Sequence, residues 1–384
     1  MHVVLASSAF PEPRAGRYPG IERLVKDLVH HLTAQGIQVT VVTTFWNGGE
    51  KHGSYRGVAI HRVRDTSSVL GKWASIGDSH YWTWGLSVAR LVGRLREASV
   101  VHAISPLAGT AVLVEAGLPV VSTFYHEELL WDWRQLLYKP FHKMLERRAY
   151  QSSTLVTCPS KASSRVLQSS YGVPERRVRV TPYGIDLSRF VGDPRQESKT
   201  IRVLYVGPHE PRKGLMCLLE AIAVLRGKGI DVHLVTVGKG SQLPDLMLHS
   251  RRLGISDITE FRGYLDDPDD TKLPLVYSGA DIFVLPSFRE GFGFVLVEAM
   301  ASGLPVIATA ISAIPEVVGD AGLLVPPGDP GALAEALRKL ILDPAKRVEL
   351  GRRGRQRVED VFAWDKAISR ILSTYQEAIR LGER

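Results

Sequence analysis

The chain has 384 residues, of which 45% are hydrophobic and 23% are charged, and its formal net charge is +8. These values are typical of a soluble globular protein, and the length indicates two domains rather than one. The two cysteines, Cys158 and Cys217, lie far apart in the sequence, so they indicate neither a metal site nor a disulfide framework, and a reducing cytosol is the expected setting.

The first residues run directly into an apolar strand pattern at 3–7. They lack the basic start and the long apolar core of a signal peptide. No window of the chain approaches the roughly 20 uninterrupted apolar residues that a transmembrane helix needs. We therefore expect a cytoplasmic protein.

The first half of the chain alternates between helix and strand patterns. The clearest helix is 21–34, which carries one apolar stripe. Alternation of this kind predicts a parallel sheet covered by helices on both faces. The predicted strands are 3–7, 39–44, 100–103, 120–123 and 154–157.

A polar segment with Gly and Pro at 190–200 indicates a linker, and a second α/β series follows it. We therefore predict an α/β fold of two doubly wound, Rossmann-like domains, 1–190 and 198–363, which face a central cleft at the carboxyl ends of their strands. The amphipathic segment 364–384 is expected to cross back and pack on the first domain. In the second domain we predict a helix at 215–227 and strands at 202–206, 232–237, 258–262, 282–285, 306–308 and 322–325.

The surplus of positive charge lies in the first half. Residues 1–190 hold 23 Lys and Arg against 14 Asp and Glu, a net charge of +9, whereas residues 191–384 hold 25 against 26. A basic half can attract an acidic substrate, an anionic membrane surface or nucleic acid, and the alternative is that the surplus only aids solubility.

The most informative stretch is 289–300, Arg-Glu-Gly-Phe-Gly-Phe-Val-Leu-Val-Glu-Ala-Met. Glu290 and Glu298 stand eight positions apart around a glycine turn, between a predicted strand and a predicted helix at 294–301. With the next strand this makes a βαβ unit whose turn lies at the ligand edge of the sheet. Backbone N–H groups at the helix start can bind an anion, and carboxylates accept hydrogen bonds from sugar hydroxyls, so the segment predicts a pocket for a phosphorylated sugar.

Two other loops follow strands of the second half. Arg212 and Lys213 stand where a strand ends and a helix begins, a position from which they could neutralise a diphosphate leaving group; a solvated basic turn is the alternative. Gly238 opens a Gly-Lys-Gly stretch that is too short for a dinucleotide fingerprint and is equally compatible with a tight turn.

In the first half, His126 follows the predicted strand at 120–123. A histidine at a strand end of an α/β domain faces the cleft, where it could orient a sugar hydroxyl or transfer a proton. A lone histidine is more often a surface or core residue, which is the alternative. The other histidines show no metal-site spacing.

Two clusters carry weaker indications. The acidic run 266–270 contains Asp-x-Asp, which could hold Mg²⁺, but its Pro-containing turn favours a solvated loop, so we predict no metal site. Aromatic and basic residues are interleaved between 131 and 148, which fits either a helix at a membrane interface or a helix that buries its aromatics in its own domain.

Together these motifs resemble the family 4 retaining glycosyltransferases of GT-B fold. The resemblance covers nearly the whole chain and rests on REGFGFVLVEAMASGLPVIA at 289–308, PRKG at 211–214 and TPYGID at 181–186. The segment 18–22 is similar to the family's opening glycine loop, and 362–364 is similar to its closing aromatic segment.

The resemblance implies roles for the matching residues. Glu290 would contact the donor sugar and Glu298 the ribose hydroxyls, while Lys213 would bind the diphosphate. His126 would line the sugar site from the first domain, so that His126, Glu290 and Lys213 form the implied catalytic set. The other implied donor-binding residues are Gly20 near the phosphate, Arg212, Gly238, the base-packing pair Gly263 and Tyr264, and the turn Gly291, Phe292 and Gly293.

Two departures from the family pattern concern the donor. The family usually has Arg directly after the glycine at 207, where this chain has Pro208. One phosphate contact is therefore missing unless Arg212 replaces it. Pro19 stands where the family commonly has a second glycine, which stiffens the opening loop.

The implied reaction is transfer of a hexosyl unit from a UDP- or GDP-linked sugar to an acceptor hydroxyl, with retention of configuration. Lys213, Arg212 and a helix N-terminus would stabilise the leaving diphosphate without a metal, so we expect no cofactor beside the nucleotide sugar as co-substrate. The basic first domain favours an anionic or lipid-linked acceptor and a peripheral place at the inner membrane face; no nucleic-acid partner is expected. A sugar-nucleotide epimerase or phosphorylase of the same fold, and a non-catalytic partner subunit, remain as alternatives.

Overall fold

The structure is a computed structural model. It divides into two compact units, one formed by Met1–Tyr183 with Ala367–Arg384 and the other by Gly184–Lys366. Each unit is built on a sheet of its own. The described residues are 1–7, 10, 20–45, 50–63, 79–95, 97–104, 117–125, 139–190, 200–265 and 271–383.

The strands of the first unit are β1 His2–Ala6, β2 Gln38–Thr44, β3 His52–Tyr55, β4 Val58–Val63, β5 Val100–Ala103, β6 Val120–Thr123, β7 Leu155–Cys158 and β8 Val178–Val180. They form one sheet in the order β3-β4-β2-β1-β5-β6-β7-β8. Every pairing in it is parallel except that of β3 with β4. These two strands form a hairpin whose turn residues, Arg56 and Gly57, have φ values of 49° and 83°, as a primed turn requires.

The strands of the second unit are β9 Ile201–Val206, β10 Val232–Val237, β11 Thr259–Phe261, β12 Ile282–Leu285, β13 Val306–Thr309 and β14 Gly322–Val325. They lie in the order β11-β10-β9-β12-β13-β14, and all pairings are parallel. This is the strand order of doubly wound nucleotide-binding sheets, in which the order reverses between the first and the fourth strand.

Helices cover both sheets. In the first unit they are α1 Gly20–Ala34, α2 Ser79–Val92, α3 Lys139–Ser152 and α4 Lys161–Tyr171. In the second unit they are α5 Leu215–Gly227, α6 Leu243–Arg252, α7 Lys272–Ser278, α8 Phe294–Ala301, α9 Ile314–Val318, α10 Pro330–Leu342 and α11 Pro344–Arg357, followed by a π-helical turn at Val358–Phe362. The last helix is α12 Trp364–Gly382, which from Ala367 onward belongs to the first unit.

A chain of buried hydrogen bonds ties α12 to the first sheet. The Nδ1 atom of His102 lies 2.6 Å from the hydroxyl of Tyr375 on α12, and its Nε2 atom lies 2.5 Å from Oγ1 of Thr123. The Thr123 hydroxyl in turn lies 2.8 Å from that of Thr157 on the next strand. Because buried polar groups are costly unless they are hydrogen-bonded, this chain of contacts favours one position of α12 on the sheet.

The basic helix α11 uses its arginines inside the second unit. Arg347 donates to two carbonyls at the end of α10, at 2.6 and 2.9 Å, and Arg355 donates to a carbonyl at the end of α8, at 2.7 Å. Arg357 donates to two carbonyls of the last turn of α9, at 2.8 and 2.5 Å. Each guanidinium thus satisfies the unpaired carbonyls and the negative dipole end of another helix.

The second unit begins ahead of its first strand. Ile185 forms a parallel bridge with Ala363, and a side chain at Gly184 would come within 2.4 Å of the Trp364 ring. The ring of Phe190 lies 6.1 Å from that of Tyr277. The start of the predicted linker is therefore packed into the unit at Phe190, and the rest of it, 191–199, lies outside the described residues.

The sequence-based elements named above are confirmed, most of them within one residue at each end. The hairpin of β3 and β4 was not predicted, because β3 is largely exposed and has no apolar run. The three-residue strand β8 was missed because it is too short to show a period.

We expect His102 to make the first unit sensitive to acid. Burial lowers its pKa from 6.5 to about 4. Between those values the unfolded chain binds this proton and the folded chain does not, so the free energy of unfolding should fall by up to about 1.4 kcal/mol for each pH unit below 6.5. Urea unfolding at pH 7 and pH 5 measures the loss. In His102→Gln the difference between the two pH values should be smaller, and an equal difference would contradict the prediction.

Candidate functional site

The candidate site lies at the carboxyl edge of the second sheet, where the strand order reverses between β9 and β12. In doubly wound sheets ligands bind at this switch point, because the loops that follow the two strands leave toward opposite faces. Here the loops are 207–214 after β9 and 286–293 after β12. They contain Arg212, Lys213 and Glu290, so residues far apart in sequence meet at one edge.

Backbone contacts join the loop after β9 to the loop after β10. The amide of His209 donates to the carbonyl of Lys239 at 3.0 Å. Gly238 has a φ of 144°, and a side chain there would come within 1.9 Å of the Gly207 carbonyl oxygen. Glycine at 238 is therefore required by the close approach of two backbones, which explains the Gly-Lys-Gly stretch sterically.

A second set of contacts joins the loop after β9 to the loop after β12. Gly214 has a φ of 70°, and a side chain there would come within 2.0 Å of the carbonyl oxygen of Pro286. The amide of Phe288 donates to the carbonyl of Arg212 at 2.8 Å. From the neighbouring strand β13, the hydroxyl of Thr309 donates to the carbonyl of Ser287 at 2.6 Å. The β12 loop is thus held from both sides.

The two loops place Lys213 and Glu290 in direct contact. The Nζ atom of Lys213 lies 2.6 Å from Oε2 of Glu290, and the two side chains are only 8% and 13% exposed. A pair so well shielded from water is strongly coupled, because removal of one partner leaves the other charge desolvated and uncompensated. The structure therefore brings together two of the three residues of the implied catalytic set.

Arg212 has a different partner. Its Nε atom donates to Oε2 of Glu210 at 2.8 Å, and both side chains are partly exposed. The carbonyl of Pro208 accepts a hydrogen bond of 2.8 Å from the hydroxyl of Tyr205. Burial raises the pKa of Tyr205, and the nearby Glu290 carboxylate raises it further, so this hydroxyl keeps its proton.

The second glutamate of the motif lies on α8. This helix begins after Gly293, whose φ is 86°, and Glu298 is buried within it at 6% exposure. The hydroxyl of Tyr277 donates to Oε2 of Glu298 at 2.7 Å. Gly291 and Phe292 connect Glu290 to the helix, and the Phe292 ring packs on Phe362 at 5.8 Å, so its side chain belongs to the core.

At the ends of β10 and β11, Tyr264 stands in the position implied to pack on a base. It is 46% exposed, and the Nζ atom of Lys239 lies 4.8 Å from the centre of its ring. The carbonyl of Gly263 accepts a hydrogen bond of 2.7 Å from the amide of Gly238. The implied base segment is thus joined to the loop after β10 through the backbone.

Several sequence-based candidates lie outside the described residues: His126, Pro19, the acidic run 266–270 and most of the aromatic and basic segment from 131. Gly20 is described and begins α1. Within the described ranges, no group of three or more His, Cys, Asp or Glu side chains is arranged to hold a metal ion. No helix of those ranges is both long enough and apolar enough to span a membrane.

Three contributors to this edge were not found from the sequence: Tyr277, Thr309 and His209. Their contacts depend on which helices, strands and loops are neighbours in space, which no local pattern reveals. His209 is fully buried, and in the part of the chain that the structure describes its ring nitrogens have no hydrogen-bond partner. Its ring stacks on that of Tyr205 at 6.1 Å, and burial lowers its pKa, so it is neutral at neutral pH.

A doubly wound sheet with an ion pair at its switch point has the architecture of a nucleotide-binding unit, and comparison with known proteins identifies the family. Residues 18–189 match the family described as Glycosyltransferase Family 4, and residues 200–343 match Glycosyl transferases group 1. The chain is 32% identical over 336 residues to the MMP alpha-(1->4)-mannosyltransferase of Mycolicibacterium hassiacum, covering 82% of this chain and 79% of that one. It therefore belongs to glycosyltransferase family 4, as its motifs predicted.

Other relatives agree with this assignment. The chain is 26% identical over 399 residues to the D-inositol 3-phosphate glycosyltransferase of Paenarthrobacter aurescens, covering 98% and 97% of the two chains. Sucrose-phosphate synthase from Thermosynechococcus elongatus matches with a TM-score of 0.81 at 23% identity, covering 98% of both chains. Anabaena HepE in complex with UDP and glucose matches at 0.75 and 18%, covering 97% and 99%. The structural matches show the fold, and the predicted GT-B fold is confirmed.

We predict that the contact at Gly214 is essential for the site. Gly214→Ala should lower the free energy of unfolding by about 2 kcal/mol or more, because it adds a steric clash to the strain of a positive φ. Gly229→Ala is a matched control, since Gly229 has the same φ of 70° and nothing within 4 Å of an added side chain. Urea unfolding of both variants separates the two effects, and equal losses would contradict the prediction.

Proposed function

We propose that this glycosyltransferase moves a hexosyl unit from a nucleotide-diphosphate sugar to an acceptor hydroxyl with retention of configuration. The observation that carries the proposal is the buried contact of 2.6 Å between Lys213 and Glu290 at the switch point. Breaking a glycosyl–phosphate bond builds negative charge on the phosphate and positive charge on the sugar ring. An ammonium and a carboxylate held side by side match this separation of charge.

The lysine has enough donors for both partners. An ammonium group has three N–H bonds, so Lys213 can contact Glu290 and a diphosphate oxygen at the same time. Glu290 would then lie next to the anomeric carbon, where its charge stabilises the developing cation. The loops that hold both residues are joined by backbone contacts, so little reorganisation is needed when the bond breaks.

We propose that the leaving diphosphate is stabilised by protein groups without a metal. Lys213 and the N-terminus of α8 supply positive charge at the edge of the sheet where the diphosphate would lie. Glu298 would hold the ribose, and Tyr264 the base. No cofactor beyond the nucleotide sugar is required by this scheme.

The relatives support a nucleotide-sugar donor. HepE, a protein of the same fold, has been solved with UDP and glucose, and a relative with 32% identity is named as a mannosyltransferase. We therefore propose UDP- and GDP-linked hexoses as the donors to test first. A shift in melting temperature ranks them, because a ligand present at 100 times its Kd stabilises the folded state by about 2.7 kcal/mol.

We further propose an anionic acceptor, which includes lipid-linked ones, recognised by the first unit. Residues 1–190 carry a net charge of +9. On α3 the side chains of Lys143, Arg147 and Arg148 are exposed, together with Met144. A relative that covers nearly the whole chain is named for a phosphorylated inositol.

Substitutions at the ion pair test the proposal. Glu290→Gln keeps the shape and removes the charge, so kcat should fall about 100-fold while nucleotide binding is retained. Lys213→Met should weaken nucleotide diphosphate binding as well, and Lys228→Met, at an exposed site of the same unit, should change neither. Transfer assays with a panel of nucleotide sugars, together with titration of UDP and GDP, measure both effects.

The same assays separate the alternative functions. An epimerase would convert the donor without an acceptor, and a phosphorylase would require inorganic phosphate. A non-catalytic subunit would be unaffected by Glu290→Gln in every assay. NMR of the product then reads the anomeric configuration, and inversion would refute the retaining mechanism.

Anionic surfaces should bind the first unit. Reversing the charge at Lys143, Arg147 and Arg148 should reduce co-sedimentation with vesicles of phosphatidylglycerol and phosphatidylcholine at least about tenfold, since each basic residue near such a surface contributes about 1 kcal/mol. Vesicles of phosphatidylcholine alone should bind neither protein.

The matched control reverses the exposed charges of Lys228, Arg251 and Arg252 in the second unit. If this control loses as much vesicle binding as the α3 variant, the attraction is a property of net charge and the proposed surface is wrong. If the wild type does not respond to anionic lipid, a lipid-linked acceptor loses its support.

A further inference from the structure

We propose that Tyr277 is a positioning residue for donor binding: its hydroxyl holds the carboxylate of Glu298 in the orientation that grips the ribose. This inference rests on the role of Glu298 in the proposed function and extends it to a residue that does not itself touch the donor. The contact that carries it is the hydrogen bond of 2.7 Å from the Tyr277 hydroxyl to Oε2 of Glu298.

Tyr277 is itself held rigidly. It lies on α7 and is fully buried. Its ring packs against Phe283 of β12 at a centroid distance of 5.8 Å and against Phe190 at 6.1 Å. A tyrosine whose ring is surrounded by packed side chains has few rotamers available, so the surrounding core determines the position of its hydroxyl.

The glutamate is held from the backbone side. Its helix, α8, has only eight residues, and six of them are buried. At the carboxyl end of the helix, Arg355 donates to the carbonyl of Ala301 at 2.7 Å, and the Ser302 hydroxyl donates to the carbonyl of Glu298 at 3.0 Å. Arg355 also reaches the carbonyl of Phe190 at 3.3 Å, which links this helix end to the residue that packs on Tyr277.

The direction of the Glu298 side chain also favours contact with a ligand at the candidate site. Helical side chains lean toward the N-terminus of their helix. The Tyr277 hydroxyl that binds Oε2 also lies 3.5 Å from the carbonyl of Val295, so the carboxylate of Glu298 lies beside the first turn of α8, which begins at the candidate site. A glutamate without a fixed hydrogen-bond donor must order three side-chain torsions when it binds a ligand. A fixed donor at Oε2 selects one arrangement before the ligand arrives.

The hydrogen bond is also compatible with the ligand that we propose. A carboxylate accepts about four hydrogen bonds, so one bond from Tyr277 is consistent with further bonds to two ribose hydroxyls. A hydroxyl donor to a charged acceptor is stronger than a neutral pair, and it offsets part of the cost of burying the carboxylate. Removing the hydroxyl should therefore weaken ribose recognition and leave diphosphate recognition intact.

The test uses the full chain and compares Kd values for UDP and GDP with those of their 2′-deoxy and 3′-deoxy forms. The ratio of deoxy to ribose Kd reports only the contacts of the ribose hydroxyls. In Tyr277→Phe the Kd for the ribose form should rise about tenfold, as expected for a lost hydrogen bond to a charged group, and the ratio should fall several-fold. Glu298→Ala should bring the ratio close to one.

Tyr375→Phe is the matched control. Tyr375 is equally buried, and it loses one hydroxyl contact of 2.6 Å in the first unit. It should lower the melting temperature without changing the ratio. If it changes the ratio as much as Tyr277→Phe does, the effect reflects general destabilisation and the inference is overturned.

The remaining outcomes separate the inference from the proposed function. If Glu298→Ala removes the discrimination and Tyr277→Phe keeps it in full, the positioning role is wrong while the ribose role of Glu298 stands. If Glu298→Ala itself keeps the discrimination, or if neither UDP nor GDP binds the wild type, the ribose role fails and the inference fails with it.

Discussion

The candidate site of this protein depends on the close approach of three loops at one edge of the second sheet. At Gly214 and Gly238 the backbone of one loop comes so near to a carbonyl of the next that no side chain fits between them. The Nζ atom of Lys213, the neighbour of Gly214, thereby lies 2.6 Å from Oε2 of Glu290, although the two residues are 77 positions apart in the chain. Gly214 is therefore as much a part of the site as the charged residues, because a side chain there would push apart the two loops that carry Lys213 and Glu290.

The use of charge differs between the two units. In the second unit, three arginines of α11 donate hydrogen bonds to carbonyls at the carboxyl ends of other helices. A cation engaged in this way stabilises the carboxyl end of the helix that it contacts. The counts of acidic and basic residues after position 190 are nearly equal, whereas the first 190 residues keep a surplus of nine positive charges. The anionic acceptor that we propose would therefore be attracted by the first 190 residues and not by the rest of the chain.

Local sequence patterns were sufficient to predict the helices and the buried strands named above. The buried strands and the helix of the Glu290–Glu298 motif follow from apolar periodicity and from the glycine turn between them. The contacts of Tyr277 and Thr309 could not be predicted in this way, because they require knowledge of which helices pack together and which strands are neighbours. The strand β3 of the hairpin at 52–63 was missed for another reason: an exposed edge strand has no apolar alternation to detect.

The sequence shows the glycines at the close backbone approaches, but it does not show that two backbones meet there. Glycine at 238 and at 214 is visible in the sequence, yet a glycine permits both a tight turn and a close contact. Only the positions of Gly207 and Pro286 decide between these uses. The resemblance to the family implied roles for single residues, but it did not indicate how the surrounding side chains hold them in place.

Pro208 stands where the family usually has arginine, and the loop after β9 accommodates this difference. Its carbonyl accepts the hydroxyl of Tyr205, so the position contributes to the packing of the loop. We propose that Arg212, whose present partner is Glu210, takes the place of the cation that the family usually has there. That pair is partly exposed to water, and such pairs contribute only about 0–1 kcal/mol. Releasing Arg212 to a diphosphate therefore costs little, whereas Lys213 can keep Glu290 and bind phosphate with its remaining donors. In the donor site that we propose, Lys213 would therefore stay next to the reacting bond, and Arg212 would move onto the outer phosphate.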